Sequence, residues 1–446
     1  MIPPDKLKKI LSPFTKTKEA DKTALTFFSQ RLQVSRFANS QLHQHMSTEA
    51  QLIYFRLLCN GRLGVASTNS LDPAHLKEAF KKALHSARLK VKNAVKRDLV
   101  SFSPIPPVLG VNFPDTINAT AATRAEILRK IFSYGQNKQI SFSGNLYNGL
   151  SQTAVIYPQG KMNYQDYSLC GIKTIAVSAG SSGYAMDTAY DLKELAVSRT
   201  AESAAEKCLL GIKKISLPPA AYDVILEPPA TGEILAWLNY IGFGAKSFLE
   251  ETGFLYNKKG RRVTGEKIGL YDDGRDKNTF ILPFDFEGSP RRKALLIKNG
   301  IAASPVTDSY YAKLLKIKNT GHANFPDDTE GPLAYNLIMR NGKLPQDKII
   351  SSAKRALLIN RFHYINGFLD THKAQMTGMT RDGTLLIEDG KVKCGVKDMR
   401  FTENILEAFS RIKYISKERQ LLAEPLDSFG SIYAPALYIK DFNFIS

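Results

Sequence analysis

Seven histidines are spread along this chain of 446 residues, and one pair is spaced for joint chemistry. His43 and His45 stand two apart in FANSQLHQHM, so on an extended strand both rings leave one face and could supply two metal ligands. No third ligand stands near them, and a polar strand face or a surface loop is the plainer account. Asp285 and Glu287 alternate in PFDFEG, which puts two carboxylates on one strand face, as an acid/base pair requires. Accepting hydrogen bonds from a tight turn at Gly288 is the simpler role for both. His322 follows a glycine in NTGHA, His363 and His372 flank a turn containing Asn366, Gly367 and Asp370, and Arg381 opens an Arg-Asp-Gly run. Hydrogen-bonded structural histidines explain these positions most simply. Asp285, Glu287, His322, His363 and Arg381 are therefore candidate pocket residues, none of them assigned a catalytic step. The chain has no GxSxG elbow, Walker loop or GxGxxG fingerprint, and Gly180-Ser181-Ser182-Gly183-Tyr184 is followed by no GK[ST].

The elements that would carry these residues fall into two halves, which together predict an α+β protein. Asp72 and Pro73 open an amphipathic helix in which Leu76, Phe80, Ala83, Leu84, Ala87, Val91 and Val95 form the apolar stripe. Lys77, Lys81, Lys82, Arg88, Lys90 and Lys92 then fall on its other faces. After a proline-rich connector, Thr120 offers a cap for a second helix with Ile127, Leu128, Ile131 and Phe132 on one side. Short alternating runs from Gln139 to Met186, separated by Gly144, Asn148-Gly149, Gly160 and Gly180, predict an antiparallel meander. A long helix over Asp191 to Leu210 closes this half, residues 1–215, an α/β domain with a sheet flanked by helices. Ser216-Leu217-Pro218-Pro219 reads as the linker. Residues 220–446 contain many short strands, at Tyr222 to Leu226, Ala294 to Ile297, Ala356 to Phe362, Thr384 to Ile387 and Ala436 to Ile439, implying a curved sheet or an open barrel.

Composition narrows the class. An apolar fraction of 43% with 23% charged residues is ordinary for a globular protein. No apolar run approaches the ~20 residues of a membrane-spanning helix, and the N-terminus lacks a secretory core, so a cytoplasmic protein is expected. Cys59, Cys170, Cys208 and Cys394 form no CxxC pair and read as buried thiols. A net charge of +19 could attract nucleic acid, yet the lysines are dispersed and the basic helix reads as a solvated face.

The run Thr377 to Lys391, TGMTRDGTLLIEDGK, reads as a turn at Arg381-Asp382-Gly383, a strand, and a second turn at Glu388-Asp389-Gly390. It closely resembles a signature of the TldD/PmbA family of metal-dependent peptidases, which assemble from two related subunits. Ser35 to Ser40, Pro283 to Gly288, Asn319 to Ala323 and Leu358 to Asn366 resemble further family segments in the expected order. The family's catalytic subunit carries HExxxH on a helix, and this chain has no such sequence. The corresponding positions read Ala236, Trp237 and Ile241, and the segment Asp427 to Ser431 lacks the family's late cysteine ligand.

The resemblance thus implies a non-catalytic, TldE/PmbA-like subunit of a heterodimeric zinc metallopeptidase. It would bind no cofactor itself. Zinc would sit in a TldD-like partner carrying HExxxH, and flexible peptides or peptide precursors would be the substrate, binding by strand addition. Two other readings remain open: a homodimeric hydrolase with a site around His43 and His45 or His322, and a basic DNA-associated regulator.

Overall fold

The computed structural model describes residues 2–91, 97–425 and 430–446. Its first sheet contains β1 (Lys22–Ala38), β2 (Gln41–Cys59), β3 (Arg62–Thr68), β4 (Ser141–Ile156), β5 (Met162–Ser178) and β6 (Ser181–Ala189). The strands run in the order β3-β2-β1-β4-β5-β6, each antiparallel to its neighbour. Alternation decides what each face of β1 buries. Leu25, Phe27 and Phe37 pack toward the helices Pro73–Leu89, Ala121–Asn137 and Val197–Leu210, whereas Phe28, Leu32 and Val34 pack against the segment around Phe280 to Phe286. Both faces of this sheet are therefore covered.

Local signals set the helix starts. The Asp72 carboxylate accepts the Ala74 amide at 2.8 Å, and Thr120 and Thr123 form a reciprocal capping box. Some ends differ from expectation. The first of the three helices stops at Leu89, so Val91 lies outside it and is 86% exposed, while Lys92 and Val95 lie outside the described residues. The third begins at Val197, because the Asp191 carboxylate accepts the Lys193 amide in a local turn that competes with helix. Of the cysteines, Cys170 and Cys208 are buried, but Cys59 and Cys394 are only partly covered.

Gly144 and Asn148-Gly149 are not turns. They lie inside β4, which runs unbroken for 16 residues. Asn148 is fully buried, accepting from Arg124 Nη1 at 2.6 Å and donating to the Thr116 carbonyl at 2.8 Å. Gly149 lets β1 approach, since a Cβ there would stand 2.1 Å from the Arg31 carbonyl oxygen.

The second sheet is built from β7 (Lys214–Ile215), β8 (Ala220–Leu226), β9 (Leu270–Asp272), β10 (Ala294–Lys298), β11 (Ile301–Ala302), β12 (Asn336–Met339), β13 (Arg355–Asp370), β14 (Gln375–Glu388), β15 (Lys391–Val396), β16 (Arg400–Asn404), β17 (Ile412–Leu422) and β18 (Ser431–Phe444). Five of these strands close a circuit: β18 pairs β8, β8 pairs β13, β13 pairs β14, β14 pairs β16, and β16 returns to β18 through Phe401 and Phe444. The sequence implies a curved sheet or an open barrel; the circuit instead closes, at that one residue pair. Phe362, Phe401 and Phe442 contact one another in its core, with Phe401 centred 4.8 Å from Phe362 and 5.3 Å from Phe442.

Arg381-Asp382-Gly383 is a bulge within β14 rather than a hairpin turn. The register with β13 slips between Ile359↔Thr384 and Arg361↔Arg381, while Asp382 and Gly383 take φ of 50° and 115°. Pairing to β13 resumes on both sides because Asn360 Nδ2 donates to the Asp382 carbonyl at 2.9 Å. Asp389 and Gly390 form the true turn, at φ 48° and 74°.

Gly149→Ala should lower stability by about 1–3 kcal/mol or more, because the strand backbones must separate to admit the methyl group. Gly61→Ala, in open space at a φ of 75°, should cost only about 1 kcal/mol. Chemical denaturation of the two variants checks the contrast.

Candidate functional site

The helix Pro228–Leu238 follows β8 directly and starts with two prolines, which fit a first turn whose amides need no partner. Ala230, Thr231, Gly232, Ile234, Leu235 and Leu238 are buried, whereas Glu233, Ala236, Trp237 and Tyr240 share the opposite face at helical spacing. After Leu238 the helix widens into a π turn, Asn239–Phe243, anchored where the Asn239 side chain bonds both the carbonyl and the amide of Ala334. That open face forms the floor of a cleft of about 360 Å3. Met186 and Tyr184 of β6 wall it on one side, Ala334 and Tyr335 on another, and Leu422 to Glu424 with Ser431 and Ile432 complete it. A shallower continuation, sharing Glu233, Ala236 and Glu424, is lined by Lys173, Trp237, Arg361, His363 and Tyr364.

A polar knot holds the two sheets together beside this cleft. Asp382, on the β14 bulge, accepts from Ser182 of β6 at 2.7 Å and from Arg361 Nε at 2.9 Å. The Arg361 guanidinium also lies 4.6 Å over the Tyr184 ring. Asn360 donates to the Tyr184 carbonyl, and its own carbonyl accepts from Lys207, which in turn pairs with Glu227 at 2.8 Å. Burial opposes the charge on Arg361, but Asp382 more than compensates and raises its pKa further.

Glu233 differs from the other carboxylates around it. Glu424 pairs with Lys173 at 2.7 Å and Asp382 with Arg361. Glu233 accepts one backbone bond, from the Phe362 amide at 2.7 Å, and among the described residues no cation lies within 4.0 Å of it. The residue is only partly covered overall, yet its carboxyl end is surrounded by protein, and this loss of water pushes its pKa up to about 8. A glutamic acid rather than a glutamate therefore faces the cleft at neutral pH.

The residues singled out from the sequence are dispersed. His363 lines the outer part of the cleft, where burial, then Arg381 and Arg361, lower its pKa. Arg381 is exposed at the bulge, 3.9 Å from Asp382. His322 lies fully buried elsewhere, its Nε2 2.9 Å from Asp272, which also pairs with buried Arg291. Asp285 is buried in a turn, accepting the amides of Glu287, Ser289 and Ala323, and Glu287 accepts the Ser309 amide at 3.1 Å. Burial, then Glu287, raise the Asp285 pKa. His43 and His45 are exposed on β2, with His45 bonded to Ser35 at 2.8 Å.

Ala236 and Trp237 stand on the cleft face, whereas Ile241, 4% exposed, points into the core. Glu233 and Glu424 were missed in the sequence. Glu233 is the one charged residue between Glu227 and Lys246, a usable signal; Glu424 meets Lys173 only through the fold, 251 positions away.

Residues 219–446, just over half of the chain, match the family model described as the PmbA/TldA metallopeptidase C-terminal domain, and residues 29–87 match domain 1 of the same family. The chain belongs to the TldD/PmbA family. Across 98% of this chain and 99% of the other, the fold superposes on the crystal structure of TldE from Thermococcus kodakarensis with a TM-score of 0.82 at 20% identity. Metalloprotease TldD homologs from Buchnera aphidicola (subspecies Acyrthosiphon pisum) and Haemophilus influenzae are 26% and 25% identical over 51% and 50% of this chain. The chain spans about half the length of these curated relatives, 47% and 46%.

The TldD/PmbA metallopeptidase name raises the question of whether this cleft suits a metal. The three positions corresponding to the family's helix motif do not: an Ala236 methyl, a Trp237 indole that can only donate, and a buried Ile241 offer no ligand atom. Among the described residues no group of three or more His, Cys, Asp or Glu side chains could hold a metal ion. No helix there is long and apolar enough to cross a membrane.

A raised carboxyl pKa stabilises the fold at low pH and costs stability as pH climbs through about 8. Glu233→Gln should therefore melt like the parent near pH 4–5 and a few °C above it at pH 9, a difference of up to about 5 kcal/mol, in scanning calorimetry. Asp272 behaves oppositely. Burial would raise its pKa, but Arg291 and then His322 outweigh that and hold it well below the ordinary carboxylate range. Its contribution is present at neutral pH and lost in acid. Asp272→Asn should cost about 3–5 kcal/mol at pH 7 in urea titrations, a gap that narrows below about pH 4.

Proposed function

We propose that this chain is the non-catalytic, TldE/PmbA-like subunit of a heterodimeric zinc metallopeptidase acting on flexible peptides or peptide precursors. One observation carries the reading: the helix face where the family's HExxxH would sit presents Ala236 and Trp237 to the cleft and turns Ile241 into the core. A catalytic zinc needs about three protein ligands and one open position. The similarity to TldE over nearly the full length supports the subunit assignment. A TldD-like partner with an intact HExxxH then supplies the zinc and activates the water, while this chain provides the facing wall of the substrate chamber.

What this chain's own residues do is bind and orient. The cleft combines apolar walls with a few polar groups, as ligand sites do. The knot of Arg361, Asp382, Asn360 and Ser182 keeps those walls at fixed separation.

Purified alone, the chain should hold no stoichiometric zinc by elemental analysis and hydrolyse no unstructured peptide. Mixed with an HExxxH-bearing family member from the same genome, it should form a stable complex that hydrolyses the peptide at least tenfold faster than that member alone. Stoichiometric zinc together with turnover by the isolated chain would overturn the assignment.

A further inference from the structure

We propose that the cleft over the helix Pro228–Leu238 is a recognition site for the cationic group of a peptide, with Glu233 as its counter-charge. The inference rests on the peptide-handling role above and names the chemistry that this subunit would select.

Charge pairing argues for a cation. Glu424 pairs with Lys173, and Asp382 pairs with Arg361 and lies 3.9 Å from Arg381, so among the described residues Glu233 alone of the three carboxylates has no cation within 4.0 Å. Ionised Glu233 has no direct counter-ion of its own, and a single ammonium or guanidinium in the cleft would supply one. Without a ligand, a proton neutralises Glu233 instead. The groups facing Glu233 are Arg361 and His363 of β13, Lys173 of β5, Tyr184 of β6 and Glu424 beyond β17. His363 has its own pKa lowered, so it adds no cation at neutral pH.

The rest of the cleft suits the stem that carries such a charge. Its 360 Å3 lies within the usual size of ligand sites, and Met186, Leu422 and Ala236 present apolar surface for a methylene chain. Tyr240, exposed at the cleft, adds an aromatic ring of the kind that attracts cations. When a peptide ammonium enters at pH 7, Glu233 ionises, its proton passes to the buffer, and a charge-assisted hydrogen bond replaces the carboxyl O–H.

Isothermal titration calorimetry on the full chain tests this with three synthetic peptides of the same length. One is acetylated and amidated around a central lysine, the second replaces that lysine by norleucine, and the third has a free N-terminus and no lysine. The lysine peptide should bind on the order of tenfold more tightly than the norleucine peptide at pH 8. At pH 7 its binding should release a proton, read from the dependence of the heat on buffer ionisation enthalpy. Glu233→Gln, checked for an unchanged circular dichroism spectrum, should abolish both effects. Tighter binding of the third peptide, with the same proton release, would assign the N-terminal amine as the cation. Equal affinity for lysine and norleucine peptides without preference for a free N-terminus, no binding of any peptide, or a Glu233→Gln chain that keeps its preference would each overturn the inference. Activity restored by the HExxxH-bearing partner alongside such a failure leaves the subunit assignment standing; a lysine preference without restored activity sinks the assignment alone.

Discussion

Everything near the cleft depends on the carboxylate of Asp382. It sits on a strand bulge, where φ is positive at two successive residues, and that distortion lets one side chain meet Arg361 and Ser182 together. Ser182 belongs to the first sheet and Arg361 to the second. A buried ion pair must recover a desolvation cost through good geometry and further hydrogen bonds. Here Asn360 bonds both the Asp382 and the Tyr184 carbonyls, and the Tyr184 ring lies under Arg361. The sheets are thereby fixed at a separation that leaves room for the cleft.

The fold was more legible than the site. Strand runs in the second half, the caps at Asp72 and Thr120, and the turn at Asp389-Gly390 depend on local chemistry, which a single sequence states directly. Two of the misreadings share one cause. Asn148-Gly149 and Asp382-Gly383 have turn composition, but Asn148 serves a buried network with Arg124, and Gly149 serves the close approach of β1. Asp382 likewise serves contacts supplied by distant strands. Turn chemistry and tertiary contacts favour the same residue types, so propensity alone cannot separate them. The same distances hid Glu424 and Lys173, whereas Glu233, a lone charge in an apolar helix, was open to view.

His322 and Asp285, two of the residues that looked most chemical, are bound up in buried hydrogen bonds. Asp272 neutralises Arg291 inside the core and also bonds His322, and Asp285 accepts two amides of its own turn and the amide of distant Ala323. Buried polar groups need partners, and in a chain of this size such groups are numerous. Chemical residue types therefore mark satisfied interiors as readily as reactive sites. The better guide here is the reverse observation, an acid in a cavity whose neighbours are already paired.

The widened turn at Asn239–Phe243 has a consequence for how this helix can change. Its hydrogen bonds span one residue more than an ordinary α turn, so the chain beyond it is offset by about 100° relative to a straight helix. Phe243, seven positions beyond exposed Ala236, reaches the interior through that offset, while Tyr240 stays outside. Substitutions at the outward positions leave the offset intact and can reshape the cavity freely. Loss or gain of a single residue between Leu238 and Gly244 would rotate the whole following segment out of phase with the core.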